Sequence, residues 1–136
     1  MILLDTNVLL RLVWSDPLAR AASQRIAQAS LDRDLAISAI TAWELGLLAT
    51  RTSGTGRQLG DARLWFEAAR ARLGFAVVPL SEAIAFEAAY LPGAFHRDPS
   101  DRMIVATARV GGGLVVTADR AILAYAEAGH VRAVAC

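Results

Sequence analysis

At 136 residues, 55% hydrophobic and 20% charged, the chain has the composition of one folded domain with a real core, which excludes disorder. The single cysteine, Cys136, excludes an internal disulfide framework or a cysteine-built zinc site, and no apolar run nears the ~18–20 residues of a membrane span. A net charge of +1 does not announce nucleic-acid binding, and Asp5, with no basic stretch before it, speaks against a secretory signal, so a cytoplasmic protein is expected.

All fourteen basic residues are arginine. This reflects either a GC-rich coding bias or planar guanidinium groups placed against phosphate.

Met1-Ile2-Leu3-Leu4 predicts a short buried strand that runs into Asp5-Thr6-Asn7 and then a short helix over residues 8–13. Asp5 either caps that helix or stands as a carboxylate at the strand's end. Asp16-Pro17 opens a second helix over about residues 18–30, with Asp32 and Asp34 in a solvated loop. Residues 35–37 read as the second strand, and Ser38 is placed to cap a helix over residues 39–50.

Glu44 falls in the middle of that helix, where no cap is needed. Ile40, Leu47 and Leu48 lie four before, three after and four after it, which puts Glu44 on an apolar face. A carboxylate there requires a cation or a proton. The alternative is a partly exposed glutamate paired with an arginine.

Thr52-Ser53-Gly54-Thr55-Gly56 reads as a flexible polar joint. The helix after it, over residues 58–73, carries Asp61, Arg63, Glu67 and Arg70 on a solvated face. Leu64, Trp65, Phe66 and Leu73 are expected in the core, with a partner groove as the second reading. A third strand over residues 75–78 and a helix from Ser81 to about Tyr90 follow.

Asp98-Pro99-Ser100-Asp101 opens the next helix, with proline where its missing N–H costs nothing. Residues 103–110 show little polar surface, so this helix is expected to pack on more than one side. Gly111-Gly112-Gly113 stops it, and Leu114-Val115-Val116 is a strand covered on both faces. Thr117-Ala118-Asp119 then sets a carboxylate just past the strand's end. A helix over residues 121–128 and an edge strand over 131–134 close the chain. Strands alternating with helices predict the α/β class: one domain, 1–136, with a central parallel sheet of about five strands flanked by helices.

Asp5, Glu44, Asp101 and Asp119 are the candidate site. Three of them have a local alternative: Asp5 as cap of the first helix, Asp101 at N3 of the helix that Asp98 caps, and Asp119 as cap of the last helix. Two of the acids nevertheless end buried strands and one begins a buried helix. In open α/β sheets that edge is where ligands sit. Clustered carboxylates repel, by about 4 kcal/mol for two charges 4 Å apart at an effective dielectric near 20. They stay ionised only by holding a cation. All-oxygen donors favour Mg²⁺ or Mn²⁺ over zinc, and such an ion can activate water and neutralise a phosphodiester. A metal-dependent nuclease fits that chemistry.

The stretches ILLDTNVLL, ISAITAWELGLL, HRDPSDRMIVATA and LVVTADRAI carry a more specific signal. With them the chain resembles, over nearly its whole length, the PIN-domain ribonucleases of the VapC toxin type. The resemblance implies that Asp5, Glu44, Asp101 and Asp119 form the catalytic metal quartet, supported by Asn7, Thr117 and Asp98. It also implies Mg²⁺ or Mn²⁺, an RNA substrate that includes tRNA, a homodimer, and a cognate antitoxin that blocks the site. The helix of Glu44 ends here in Ala49-Thr50-Arg51, where the family usually has a lysine.

His96 and Arg97 precede the acids and either meet substrate phosphate or belong to a surface loop. Arg102 is expected to pair with Asp101 or with RNA, and His130 to be incidental. Trp43, Leu47, Trp65 and Phe66 are expected to offer an apolar surface to an amphipathic partner segment. Two other functions compete. An aspartate-based phosphatase or phosphotransferase would use Asp5 as nucleophile, but Asn7 stands where that chemistry wants a second aspartate. A non-catalytic partner-binding domain is the other.

Overall fold

The structure, a computed structural model, describes residues 1–50 and 58–136. The polar joint at residues 52–56 lies outside them. Five strands, β1 (Ile2–Leu4), β2 (Leu35–Ser38), β3 (Ala76–Val78), β4 (Leu114–Thr117) and β5 (Ala133–Ala135), form one parallel sheet in the order β3-β2-β1-β4-β5. The described residues hold seven helices: α1 (Thr6–Val13), α2 (Arg20–Leu31), α3 (Ile40–Thr50), α4 (Ala62–Leu73), α5 (Glu82–Ala89), α6 (Pro99–Val110) and α7 (Arg120–Glu127). None is long and apolar enough to cross a membrane.

The strand residues alternate between two cores, as the two-residue period of a strand requires. Leu4, Leu35, Ile37 and Val116 pack with residues of α1 to α4. Leu3, Ala36 and Val115 pack with Ile104, Val105 and Ala108 of α6 and Ile122 and Tyr125 of α7. The other side of α6 meets α5 through Ala106, Ile84 and Ala88. The scarcity of polar surface on α6 thus follows from its burial on two sides.

Register decides where the site forms. Leu4 lies level with Ile37 and Val116, so β1 and β4 end side by side. The strand order reverses between these two strands, and the crevice above such a reversal is where open α/β sheets bind ligands. At the opposite end, Gly113 lets β4 start against β1. A Cβ there would lie 2.8 Å from Met1 Cε and 3.4 Å from the Met1 carbonyl oxygen.

Three local expectations change. Ser38 belongs to β2, is fully buried, and lies 3.0 Å from the Thr107 hydroxyl, so it does not cap α3. Leu64 is 73% exposed and is not core, because α4 turns only one stripe inward. On that stripe, Trp65 makes an edge contact with Trp14 and Phe66 one with Phe75. The closing edge strand runs over Ala133–Ala135 rather than from residue 131, since Val131 is packed in the core before pairing begins.

Candidate active site

Asp5 follows β1 directly and occupies the N-cap position of α1, yet its side chain makes no capping bond. Its carboxylate is buried and accepts instead from the Thr117 hydroxyl at 2.6 Å. The level register of β1 and β4 brings the two side chains together. Burial pushes the Asp5 carboxyl up, the Thr117 bond opposes this, and the charge of Glu44 adds to the rise.

Thr117 serves the second strand end as well. Its oxygen accepts the Asp119 N–H at 2.8 Å. Asp119 caps α7, accepting from the Ala121 and Ile122 N–H groups at 2.7 and 2.9 Å. Both bonds use Oδ1, so the capping role occupies one carboxylate oxygen and not the other.

Glu44 is half-buried on α3, and its Oε2 accepts from the Thr6 hydroxyl. Asp101 is at the third position of α6, whose Ile104 and Ala108 are buried against the sheet. Burial raises the Asp101 carboxyl to about 7, and the charges of Asp98, Asp119, Asp5 and Glu44 all add to the rise. The sequence-predicted quartet is therefore within mutual electrostatic reach.

Asp98 and Asp101 differ in their hydrogen bonds. Asp98 Oδ1 accepts from the Ser100 hydroxyl at 2.7 Å, the Ser100 N–H at 2.9 Å and the Asp101 N–H at 3.4 Å. Chiefly the Ser100 hydroxyl holds the Asp98 carboxyl below the usual range. A reciprocal capping box would commit Asp101 to the Asp98 N–H. That N–H goes instead to His96 Nδ1, at 3.3 Å. With Nδ1 accepting, a neutral His96 carries its proton on Nε2, which lies 3.4 Å from Asp101 Oδ2. His96 thus releases Asp101 from capping and faces it.

Residues 2–128 match the PIN domain family. The chain belongs to the PIN-domain family. It is of the VapC type: Ribonuclease VapC22 of Mycobacterium tuberculosis is 35% identical over 128 residues, which is 91% of each chain. Among solved structures, VapBC2 from Rickettsia felis bound to a promoter DNA fragment is similar, with a TM-score of 0.72 at 15% identity over 99% of this chain and 98% of that one. DNA-bound VapBC from Salmonella typhimurium gives a TM-score of 0.69 at 18% identity over 98% and 96%. Both share the fold.

Around the quartet of this PIN domain, the remaining predicted residues take different places. Asn7 is exposed on the lip of a cleft of about 340 Å³ that Glu44, Trp43, Leu47 and Asp98 also line. Arg97 is exposed. Arg102 does not serve as the expected partner of Asp101. Its guanidinium donates to the carbonyls of Ala88 and Ala89 at the end of α5, and of Phe95 and His96 in the loop before α6. It satisfies orphan carbonyls of a helix end and holds the loop that carries His96. His130 is structural rather than incidental: its ring lies against Tyr125, and a Cβ at Gly93 would come within 2.6 Å of its Nε2.

Sequence reasoning missed Thr6 and Thr41. Both are buried, and their hydroxyls lie 3.1 Å apart beside Glu44. The signal was there: Thr41 stands three residues before Glu44, on the same face of α3.

The fit of a cation follows from the donor set. Among the described residues, no three His, Cys, Asp or Glu side chains converge tightly enough to enclose a metal directly. The donors are carboxylates spread around a crevice. Such all-oxygen donors fit a hard divalent cation that keeps waters of its own.

Proposed function

We propose that this chain is a metal-dependent endoribonuclease, the toxin of a toxin–antitoxin pair, with Asp5, Glu44, Asp101 and Asp119 as its acidic centre. One observation carries the reading: four acids from four elements lie within electrostatic reach of one another at the sheet's switch point, where burial, with the repulsion of the other acids added to it, raises Asp101 to about 7. A cation is the natural relief of such a cluster. The 35% identity to Ribonuclease VapC22 supports the same reading.

Mg²⁺, or Mn²⁺ in its place, would polarise water and offset charge building on a phosphodiester. Asp5, fixed by Thr117, and Asp101 would hold it, with Glu44 and Asp119 completing the negative surround. The N-termini of α1, α6 and α7 all begin at this edge; Asp98 and Asp119 cap the last two, while the first turn of α1 has no side-chain cap and favours an anionic substrate. RNA is the substrate class, with tRNA as the narrower candidate, and the cytoplasm is the place of action.

The partner is a cognate antitoxin. Trp43 is 53% and Leu47 41% exposed, on the same cleft as Glu44. A segment that covers them covers the cleft mouth. A homodimer is proposed as the toxin's own assembly. The test is cleavage of RNA by purified protein with Mg²⁺ or Mn²⁺, its arrest by EDTA, and its loss in Asp101→Asn. Undiminished cleavage in EDTA by a preparation whose activity disappears in Asp101→Asn would remove the metal from the mechanism. Equal activity in Asp101→Asn would remove the quartet.

A further inference from the structure

The Thr6 hydroxyl, buried at the start of α1, donates to Glu44 Oε2. Thr41, fully buried on α3, lies 3.1 Å from that hydroxyl. A hydroxyl has a single proton to give. With the Thr6 proton on the carboxylate, Thr41 must donate to Thr6. The three side chains therefore form a directed chain, Thr41 to Thr6 to Glu44, that leaves α3, crosses to α1 and returns to α3.

We propose that Thr6 is a positioning residue for Glu44, and that Thr41 fixes the direction in which Thr6 gives its proton. A glutamate has three side-chain torsions to settle, and holding it in one conformer costs rotamer entropy. A donor that is itself buried and bonded removes that freedom before substrate or cation arrives. Only Oε2 is tied, so Oε1 stays outside the chain. The pattern repeats at Asp5, which Thr117 holds from another element. The catalytic consequence rests on the nuclease reading, whereas the hydrogen-bond chain itself does not.

The experiment uses the whole protein with Thr6→Val, Thr6→Ser, Thr41→Val and Glu44→Ala. In metal-free protein, denaturant unfolding of Thr6→Val, Glu44→Ala and the double variant reports the coupling of the two residues. Mn²⁺ titration and RNA cleavage report its use. The expected result is non-additive unfolding, and weaker Mn²⁺ binding for Thr6→Val in the natural background but not in Glu44→Ala. Cleavage by Thr6→Val is expected to fall by roughly ten- to a hundredfold, the scale of losing orientation of one group. Thr6→Ser should recover most of that loss, and Thr41→Val should show a smaller loss in the same direction. If Thr6→Val does not fold, Thr41→Val and Thr6→Ser carry the same comparison. Additive unfolding overturns the hydrogen-bond chain. Coupled unfolding with unchanged Mn²⁺ binding and cleavage overturns its role at the site. A natural protein that neither binds Mn²⁺ nor cleaves RNA overturns the nuclease reading and the catalytic role together, while the metal-free coupling still decides the chain.

Discussion

The Thr117 hydroxyl donates to Asp5 Oδ2 at 2.6 Å across the β1–β4 pair, and the same oxygen accepts the Asp119 N–H at 2.8 Å. One buried side chain thus ties both strand-end acids. Thr117→Val keeps shape and loses both bonds. Losing the part-buried Asp119 N–H bond should destabilise the fold by about 0.5–1.5 kcal/mol. Cleavage should fall as well, because Asp5 is no longer held. Denaturant unfolding and an RNA-cleavage assay read the two effects. Thr117→Ser, which keeps the hydroxyl, should recover both, and a Thr117→Val protein that unfolds and cleaves like the natural one would show that the bridge has no consequence.

Asp101 predicts how stability depends on pH. Its carboxyl is raised to about 7 from an ordinary 3.8, so the folded state binds this proton more tightly than the unfolded state. The stability it contributes is complete below about pH 4 and is lost as pH rises through about 7. Asp5, also raised, acts in the same sense. Metal-free protein should therefore lose thermal stability between those limits, and Asp101→Asn should flatten that decline. A divalent ion prefers the ionised carboxylate, so Mg²⁺ should raise the melting temperature more at about pH 8 than at about pH 5. Melting curves in EDTA and in Mg²⁺ check both, and an ion effect independent of pH would contradict the involvement of Asp101.

The alternation of strands and helices, and the places of the four acids at strand ends and on helices, were legible because both rest on local patterns. Short apolar strands run into Asp5 and, through Thr117 and Ala118, to Asp119, and a proline fixes where α6 begins. Partners set by tertiary approach were not legible. Ser38 follows a strand and precedes a helix, which is a cap signature, but Thr107 of α6 meets it first. Arg102 stands beside an acid in sequence, yet the end of α5 offers it carbonyls. Thr6 looked like one letter of a motif, and its partner Glu44 lies 38 residues away.

Asp98 and Asp101 should separate cleanly by substitution. Asp98 is the N-cap of α6 and its Oδ1 is taken by the Ser100 and Asp101 N–H groups. Asparagine caps nearly as well, so Asp98→Asn should keep most activity, while Asp98→Ala should cost about 0.5–2 kcal/mol of stability. Asp101 makes no reciprocal cap, because His96 Nδ1 has taken the Asp98 N–H. Asp101→Asn should therefore abolish cleavage with little loss of stability, and in metal-free protein it relieves repulsion from Asp98, Asp119, Asp5 and Glu44. Cleavage and unfolding measured on the three variants decide it. An inactive Asp98→Asn beside an active Asp101→Asn would exchange the two roles.

Trp43 and Leu47 predict how the proposed antitoxin acts. They sit one turn apart on α3, 53% and 41% exposed, and line the cleft that holds Glu44 and Asp98. Trp65 and Phe66, the other half of the expected groove, are half-buried and committed to Trp14 and Phe75, so the accessible apolar surface lies on α3. An amphipathic segment laid on α3 would bury Trp43, and aromatic anchors of this kind dominate binding energy. Trp43→Glu removes that anchor and adds a charge beside an acidic cleft. Because the side chain is exposed, the substitution should change stability by no more than about 0.5 kcal/mol. It should weaken antitoxin binding at least tenfold, about 1.4 kcal/mol. A basic side chain on the antitoxin that reaches Glu44 and Asp101 would supply the charge a cation otherwise supplies. Bound antitoxin should then reduce the extra stabilisation given by Mg²⁺. Calorimetric titration of antitoxin into natural and Trp43→Glu protein, with and without Mg²⁺, reads both effects. Unchanged affinity in Trp43→Glu would place the docking surface away from α3, and Mg²⁺ stabilisation undiminished by antitoxin would mean that the partner leaves the acids free.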